Sequence, residues 1–407
     1  MKKSRGLSRS IDYIKNLTKE DICIFFLVVI SFFTSNPYFT WSWSGMPYYV
    51  FICCLLFPLW KKQPPLSKNN ISNNNLKNVS IIFLGLFYFL SCFNQYEPIN
   101  IKGKLFIIIF TGLFLIDDYY WRRAYHCYYN LFTITLIPSL LVYFLVYWGG
   151  VHLPYTVLDP FVEQKQYFYY AYPFCVIPST LGAVRFEGMY DEPGVVGTIC
   201  GVLLLSNKCN FKDWRSWVLL IGGIFSFSLF FYGIVAYYAL VHAGKKMKLG
   251  ILLFFLIAAG AIYKLDDGIM NDYIIERFVF EDGQFAGDNR GANDAWYDNY
   301  KYSGKSLVGY GSGYARTVQY SGGASYKFII VDMGWPLTIL FCMGMLLYYK
   351  SVLGKRANFK DFLLATVLFL GIIYQRPFIY TLFYVFLMII PVHRISELAN
   401  ESVSDNK

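Results

Sequence analysis

The sequence predicts an all-α integral membrane protein of about twelve transmembrane helices. Three observations predict it. Apolar residues make up 56% of the 407 and charged residues only 15%, against roughly 25% charged in a soluble domain. The charges are missing from long apolar runs and gathered between them. The polar stretches are of two kinds: short basic ones, and two long ones, residues 149–193 and 264–325, that are acidic and rich in Tyr and Gly.

The apolar runs fall at 22–39, 45–60, 79–93, 103–117, 128–148, 193–207, 216–229, 231–243, 249–263, 326–349, 362–375 and 378–392. A bilayer core takes about 20 helical residues to cross. Several runs are shorter, so Tyr, Trp and capping residues at their ends must supply the rest. The stretch 216–243 is short for two crossings and long for one. Two short helices meeting near Ser226-Phe227-Ser228 keep the later loops on consistent sides, with hydroxyls and a buried, water-lined break satisfying the backbone.

Sidedness follows from Lys and Arg. With the N-terminus inside, the inner loops are 61–78, 118–127, 208–215, 244–248 and 350–361. Each is basic, carrying for example Lys61 and Lys77, Arg122 and Arg123, Lys208 and Arg215, Lys245 and Lys248, Lys355 and Lys360. The short outer loops 40–44, 94–102 and the turn at Arg376-Pro377 are nearly free of them. The first twenty residues are basic and lack an apolar core followed by a cleavage site, which predicts an uncleaved cytoplasmic tail. The net charge of +10 therefore reflects membrane orientation and not a nucleic-acid partner. Aromatics at 20% predict interfacial belts. The Asn-rich stretch 68–78 reads as a solvated linker.

Nine Cys are scattered, with only Cys175 clearly in an outer loop, so no disulfide framework is expected. Of four His, only His152 falls outside. No spacing suits a metal, no Ser-His-Asp set is visible, and no cofactor is expected.

The first long loop ends in Arg185-Phe186-Glu187-Gly188-Met189-Tyr190-Asp191-Glu192-Pro193-Gly194. Pro193 suits a first helical position, with Asp191 or Glu192 as cap. Arg185 and Glu187 exceed the needs of capping, and the positive helix end beside Arg185 favours an anion. The second long loop carries Arg277, Arg290 and Arg316, with Asp288 beside Arg290. Arginine clamps phosphate bidentately. The run Gly309-Tyr310-Gly311-Ser312-Gly313-Tyr314 lacks the context of a nucleotide loop. It predicts tight turns, with Tyr310 and Tyr314 available to stack on sugar rings, as is the Tyr-rich stretch 167–174. Asp332 stands within a span, either as a functional group or as an outer-end residue facing water.

Together these residues resemble the bacterial O-antigen polymerase (Wzy) and O-antigen ligase superfamily, membrane glycosyltransferases of GT-C type. The likeness rests on the two large outer loops, on Arg185 followed by Glu187 to Tyr190 and Pro193, and on Arg277, Gly291 to Trp296 and Leu307 to Gly313. Ser325-Tyr326 leading into the span with Asp332 and Gly334 completes it. The ligase branch has a His before that span; residues 321–326 have none, which favours the polymerase. Gly287 follows Arg277 at ten residues where the family pattern has eleven, so Arg290 stays an equal candidate.

The resemblance implies one polytopic domain over 1–407 in the bacterial inner membrane, with cytoplasmic termini and a site facing the periplasm. It implies transfer of a growing glycan from undecaprenyl pyrophosphate to a lipid-linked repeat unit, with membrane lipid and a chain-length regulator protein as partners. Arg185, Arg277 and Arg290, with Arg316 behind them, would neutralise the departing diphosphate. Glu187 is the first candidate base, followed by Asp191, Glu192 and Asp288; Tyr310, Tyr314 and Asp332 would contact substrate. Two alternatives stand beside it: a ligase acting on a lipid A core, and a lipid-linked oligosaccharide flippase. The flippase reading is disfavoured by clean mid-spans and unequal outer loops.

Overall fold

A computed structural model describes residues 18–34, 36–40, 47–61, 74–94, 109–159, 167–179, 185–242, 244, 248–250, 253, 256, 260, 280–281, 284–285, 294–315 and 326–404. The chain is mostly helical. The first part holds α1 (Lys19–Thr34), the short α2 (Pro37–Thr40), α3 (Pro47–Lys61), α4 (Asn74–Phe93) and α5 (Asp118–Tyr143), which runs on through a π turn at Phe144–Trp148. After the first long loop come α6 (Pro193–Ser206), α7 (Trp214–Phe225) and α8 (Leu229–Val241). The second loop contains α9 (Asp294–Lys301), and the chain closes with α10 (Lys327–Leu353), α11 (Phe359–Gln375) and α12 (Leu382–Ser404).

Among the described residues, four helical stretches are long and apolar enough to cross a membrane: Asn74–Phe93, Asp118–Trp148, Lys327–Leu353 and Leu382–Glu401. Shorter apolar helices stand beside them. Phe57, Ile82, Phe93, Ile134, Leu141 and Leu240 point outward from these helices, which suits a lipid surface and not water. The expected runs 103–117 and 249–263 lie mostly outside the described residues.

Helix α6 is the centre. Val195 to Ser206 are all buried, and a helix apolar all round is one surrounded by protein. It packs on α7, α8, α11 and α12. Much of the aromatic content is core as well. Trp121, Tyr125, Tyr128, Tyr129, Tyr348 and Tyr349 are fully buried, where interfacial belts were the sequence expectation. Two of the tyrosines also use their hydroxyls. Tyr125 Oη donates to Leu203 O at 3.3 Å and Tyr349 Oη to Met388 O at 2.6 Å, so each ring fills volume and ties one helix to another.

Polar contacts segregate to two ends. At one, Arg123 pairs with Asp21, Lys77 with Asp118 at 2.5 Å, and Lys208 with Asp361 at 2.8 Å. Arg394 donates to Asn207 Oδ1 at 2.9 and 3.1 Å. These residues all come from segments read as inner. Two boundaries are corrected: residues 118–127 are no loop but the first turns of α5, capped by Asp117, which accepts from Tyr119 N at 2.8 Å, and α4 begins at Asn74, inside the stretch 68–78 read as a linker.

The outer end departs from all-α. The first long loop folds into a three-stranded antiparallel sheet, β1 (Thr156–Leu158), β2 (Tyr169–Tyr172) and β3 (Cys175–Pro178), with Thr156 opposite Ala171 and Tyr172 opposite Cys175. Ser139 of α5 donates to Phe174 O in the β2–β3 turn. The second loop contributes a two-stranded ribbon, β4 (Phe280–Glu281) and β5 (Gln284–Phe285).

Two helices are broken at this end, and an outer loop stitches each break. Helices α7 and α8 meet at Ser226-Phe227-Ser228, as the length of 216–243 predicts. Phe225 O accepts from Phe186 N at 2.8 Å; Ser226 O and Phe227 O accept from Arg185 Nε and Nη2, each at 3.2 Å. Helix α10 is interrupted at Gly334, whose φ is +77°. Pro336 has no N–H to give Asp332 O. Instead Tyr310 N donates to Val331 O and Gly311 N to Asp332 O, both at 2.9 Å, and Tyr300 Oη reaches Ile330 O at 2.7 Å. Backbone approaches backbone so closely that a Cβ on Gly334 would lie 2.4 Å from Leu307 O. Gly334→Ala should therefore lower stability by about 3 kcal/mol. Thermal unfolding of the detergent-solubilised protein measures it, and an unchanged midpoint would show that the second loop does not dock on α10.

Candidate functional site

At the end of the bundle that carries the long loops, Glu192 and Arg376 meet at the N-terminus of α6. The segment 185–194 leads there. Its start is fixed by Arg185 on the α7–α8 break, its middle by Val176 N donating to Gly188 O at 2.7 Å and Tyr38 N to Met189 O at 3.3 Å. Tyr169 Oη donates to Asp191 O at 2.9 Å. Glu192 takes the N-cap position with Pro193 at the start of the helix, but its side chain makes no cap bond. It turns instead to Arg376, in the turn between α11 and α12, and pairs with Nη2.

Arg376 is the group that sequence reading missed. Its side chain is 7% exposed against 41% for Glu192. Burial opposes its charge, and the neighbouring Glu192 carboxylate outweighs burial and holds the guanidinium's pKa above its ordinary value. In the sequence it is an arginine in a short turn between two apolar runs.

The candidate carboxylates, of which the sequence puts Glu187 first, differ in burial. Glu187 is buried at 6% exposure. It lies close enough to Cys175 to add to the burial that pushes that thiol's pKa up. Asp191 and Glu192 are both half-buried, and the Glu192 side chain is 41% exposed. Asp288, Arg277, Arg290 and Arg316 lie outside the described residues.

Asp332 has a setting that neither sequence alternative named. Its carboxylate accepts from Gly313 N at 2.9 Å and Ala315 N at 2.8 Å. It therefore holds the glycine run against the break in α10. Gly309, Gly311 and Gly313 all have positive φ, at 79°, 102° and 95°, the tight turns that the run predicts. Tyr310 and Tyr314 stack on each other with centroids 4.3 Å apart, and Tyr310 also meets Tyr300. In the first loop, Tyr169 to Tyr172 form the central strand of the sheet, with Tyr169 buried. Asn94 closes the group, donating to Val308 O at 2.6 Å and accepting from Ser312 N at 2.8 Å.

The arrangement thus offers an immobilised guanidinium at a helix N-terminus, a more open carboxylate beside it, and loops pinned above them. Among the described residues, no group of three or more His, Cys, Asp or Glu is placed to hold a metal ion. No protein-family model, curated protein or solved structure matches the chain.

Arg185 carries a structural task that can be measured apart from activity. Arg185→Ala strips donors from Ser226 O and Phe227 O, and should cost about 2 kcal/mol at this buried break. Arg185→Lys should restore part of that loss. Equal unfolding midpoints for wild type and Arg185→Ala would refute the stitching role.

Proposed function

We propose that the chain is a membrane-embedded glycosyltransferase that polymerises lipid-linked repeat units of a surface polysaccharide, as the resemblance of its loop residues implies. In this reading it spans the bacterial inner membrane about twelve times, in a GT-C-like arrangement with both termini in the cytoplasm. The substrates are undecaprenyl pyrophosphate-linked glycans that enter laterally from the outer leaflet.

The observation that supports the reading is the shortness of α6 together with the arginine–glutamate pair at its N-terminus. Helix α6 has 14 residues and rises about 21 Å at 1.5 Å per residue. That is short of the ~30 Å hydrocarbon core. With Ser206 at the inner end, the arginine–glutamate pair at the other terminus sits below the outer headgroups and beneath the loops. A diphosphate anchored by a lipid tail arrives at that depth, and its sugars extend outward under the loops.

The chemistry is a single exchange. The acceptor's hydroxyl oxygen bonds to the anomeric carbon of the donor glycan as the bond from that carbon to the diphosphate oxygen breaks. The hydroxyl proton passes to a carboxylate, with Glu187, Asp191, Glu192 and Asp288 as candidates. The leaving diphosphate takes the electron pair, and fixed guanidinium groups stabilise it. Arg185, Arg277, Arg290 and Arg316 are the sequence candidates for that work. Tyr310, Tyr314 and Asp332 border the path of the sugars.

A deletion strain tests the reading through the banding of its surface polysaccharide on a gel. Single repeat units left on the core are the expected result. Absence of any attached repeat would replace the polymerase with the ligase or the flippase. Sidedness is tested separately with thiols introduced at Val308 and Arg356 in a cysteine-free background. Position 308 should label from the periplasm and position 356 only after the inner membrane is permeabilised; the reverse pattern would end the proposal.

A further inference from the structure

We propose that Arg376 is the residue that grips the donor's diphosphate, and that Glu192 occupies its guanidinium only until the diphosphate arrives. This rests on the reading above and deepens it, by naming the binding residue and the event that frees it.

The first argument is inequality of the partners. Arg376 is 7% exposed and Glu192 41%, so the arginine is fixed and the carboxylate is the replaceable member. The turn that carries Arg376 is itself pinned. Arg376 N donates to Ile372 O at 2.6 Å, Ile379 O accepts from Tyr88 Oη at 3.2 Å, and Tyr380 Oη lies 3.5 Å from Met333 Sδ.

The second argument is unused donor capacity. A guanidinium has five N–H groups in a planar fork. Among the described residues, the Arg376 side chain hydrogen-bonds to Glu192 alone, through Nη2, and Nε is buried with no acceptor. A buried donor without an acceptor costs free energy. One carboxylate oxygen on one nitrogen uses little of a group built for a two-oxygen oxyanion.

The third argument is position. Nη2 lies 3.1 Å from where a Cβ on Gly194 would stand, so the guanidinium is pressed against the first turn of α6. Glu192, at the N-cap position, gives its side chain to Arg376 and not to the helix amides. Helix terminus and arginine therefore present positive potential to one spot, and the half-open carboxylate of Glu192 fills it. A side chain at 194 would crowd the guanidinium.

The test uses the full-length protein in nanodiscs and farnesyl diphosphate as the probe, with farnesyl monophosphate and inorganic pyrophosphate as further arms. Arg376→Lys should weaken farnesyl diphosphate binding by about 10- to 100-fold, the range for losing charge-assisted hydrogen bonds. Glu192→Gln should tighten it by roughly fivefold or more, because it removes the competitor. That opposite sign is the signature, since a purely structural ion pair would make both variants weaker or leave both unchanged. Either of those results overturns the assignment to Arg376 while leaving the polymerase reading in place if wild type binds the probe. Failure of wild type to bind farnesyl diphosphate overturns both. Pyrophosphate binding as tight as farnesyl diphosphate would replace the lipid-linked ligand with a free phosphate.

Discussion

Backbone carbonyls with no helical partner are the constraint around which the outer end is organised. In hydrocarbon there is no water to satisfy them, so a broken helix survives there only if protein supplies donors. Each break here is supplied by a long loop. Arg185 and Phe186 serve the carbonyls of residues 225–227, and the amides of Tyr310 and Gly311 serve those of Val331 and Asp332. The loops are thus part of the helical body. Their positions above the centre of the bundle are set by hydrogen bonds that the helices cannot forgo.

The same constraint accounts for the location of the candidate site. Helix α6 is sheathed from Val195 to Ser206, while Glu192 to Gly194 at its positive end are only partly buried. A charge at that spot must be paired, and Arg376 and Glu192 meet there. The opposite end solves its charge problem differently, with ion pairs such as Lys208 to Asp361 between separate segments. One end is built of many shared contacts. The other, among the described residues, buries the cations Arg376 and Lys327.

Much of this was legible in the sequence. Apolar runs gave the helices because burial and lipid contact both demand them. The length of 216–243 gave the break at Ser226-Phe227-Ser228, and the glycine run gave its turns, because only glycine takes those backbone angles cheaply. The sheet in the first loop was not legible. In its central strand Tyr169 and Tyr172 are buried, with Tyr170 and Ala171 between them partly exposed, so the strand lacks the alternation that marks one. Arg376 was hidden for another reason. Its partner Glu192 is 184 residues away, and nothing local to Arg376-Pro377 distinguishes it from a solvated turn. Asp332 showed as a charge in a span, but its duty depends on amides that only the folded loop brings to it.

Both loops precede in the chain the helices they repair: Arg185 comes before the α7–α8 junction, and Tyr310 before α10. A polypeptide leaves the ribosome in that order. The donors are therefore already synthesised when each interrupted segment reaches the translocon. Neither junction has to wait, half-solvated in lipid, for residues not yet made.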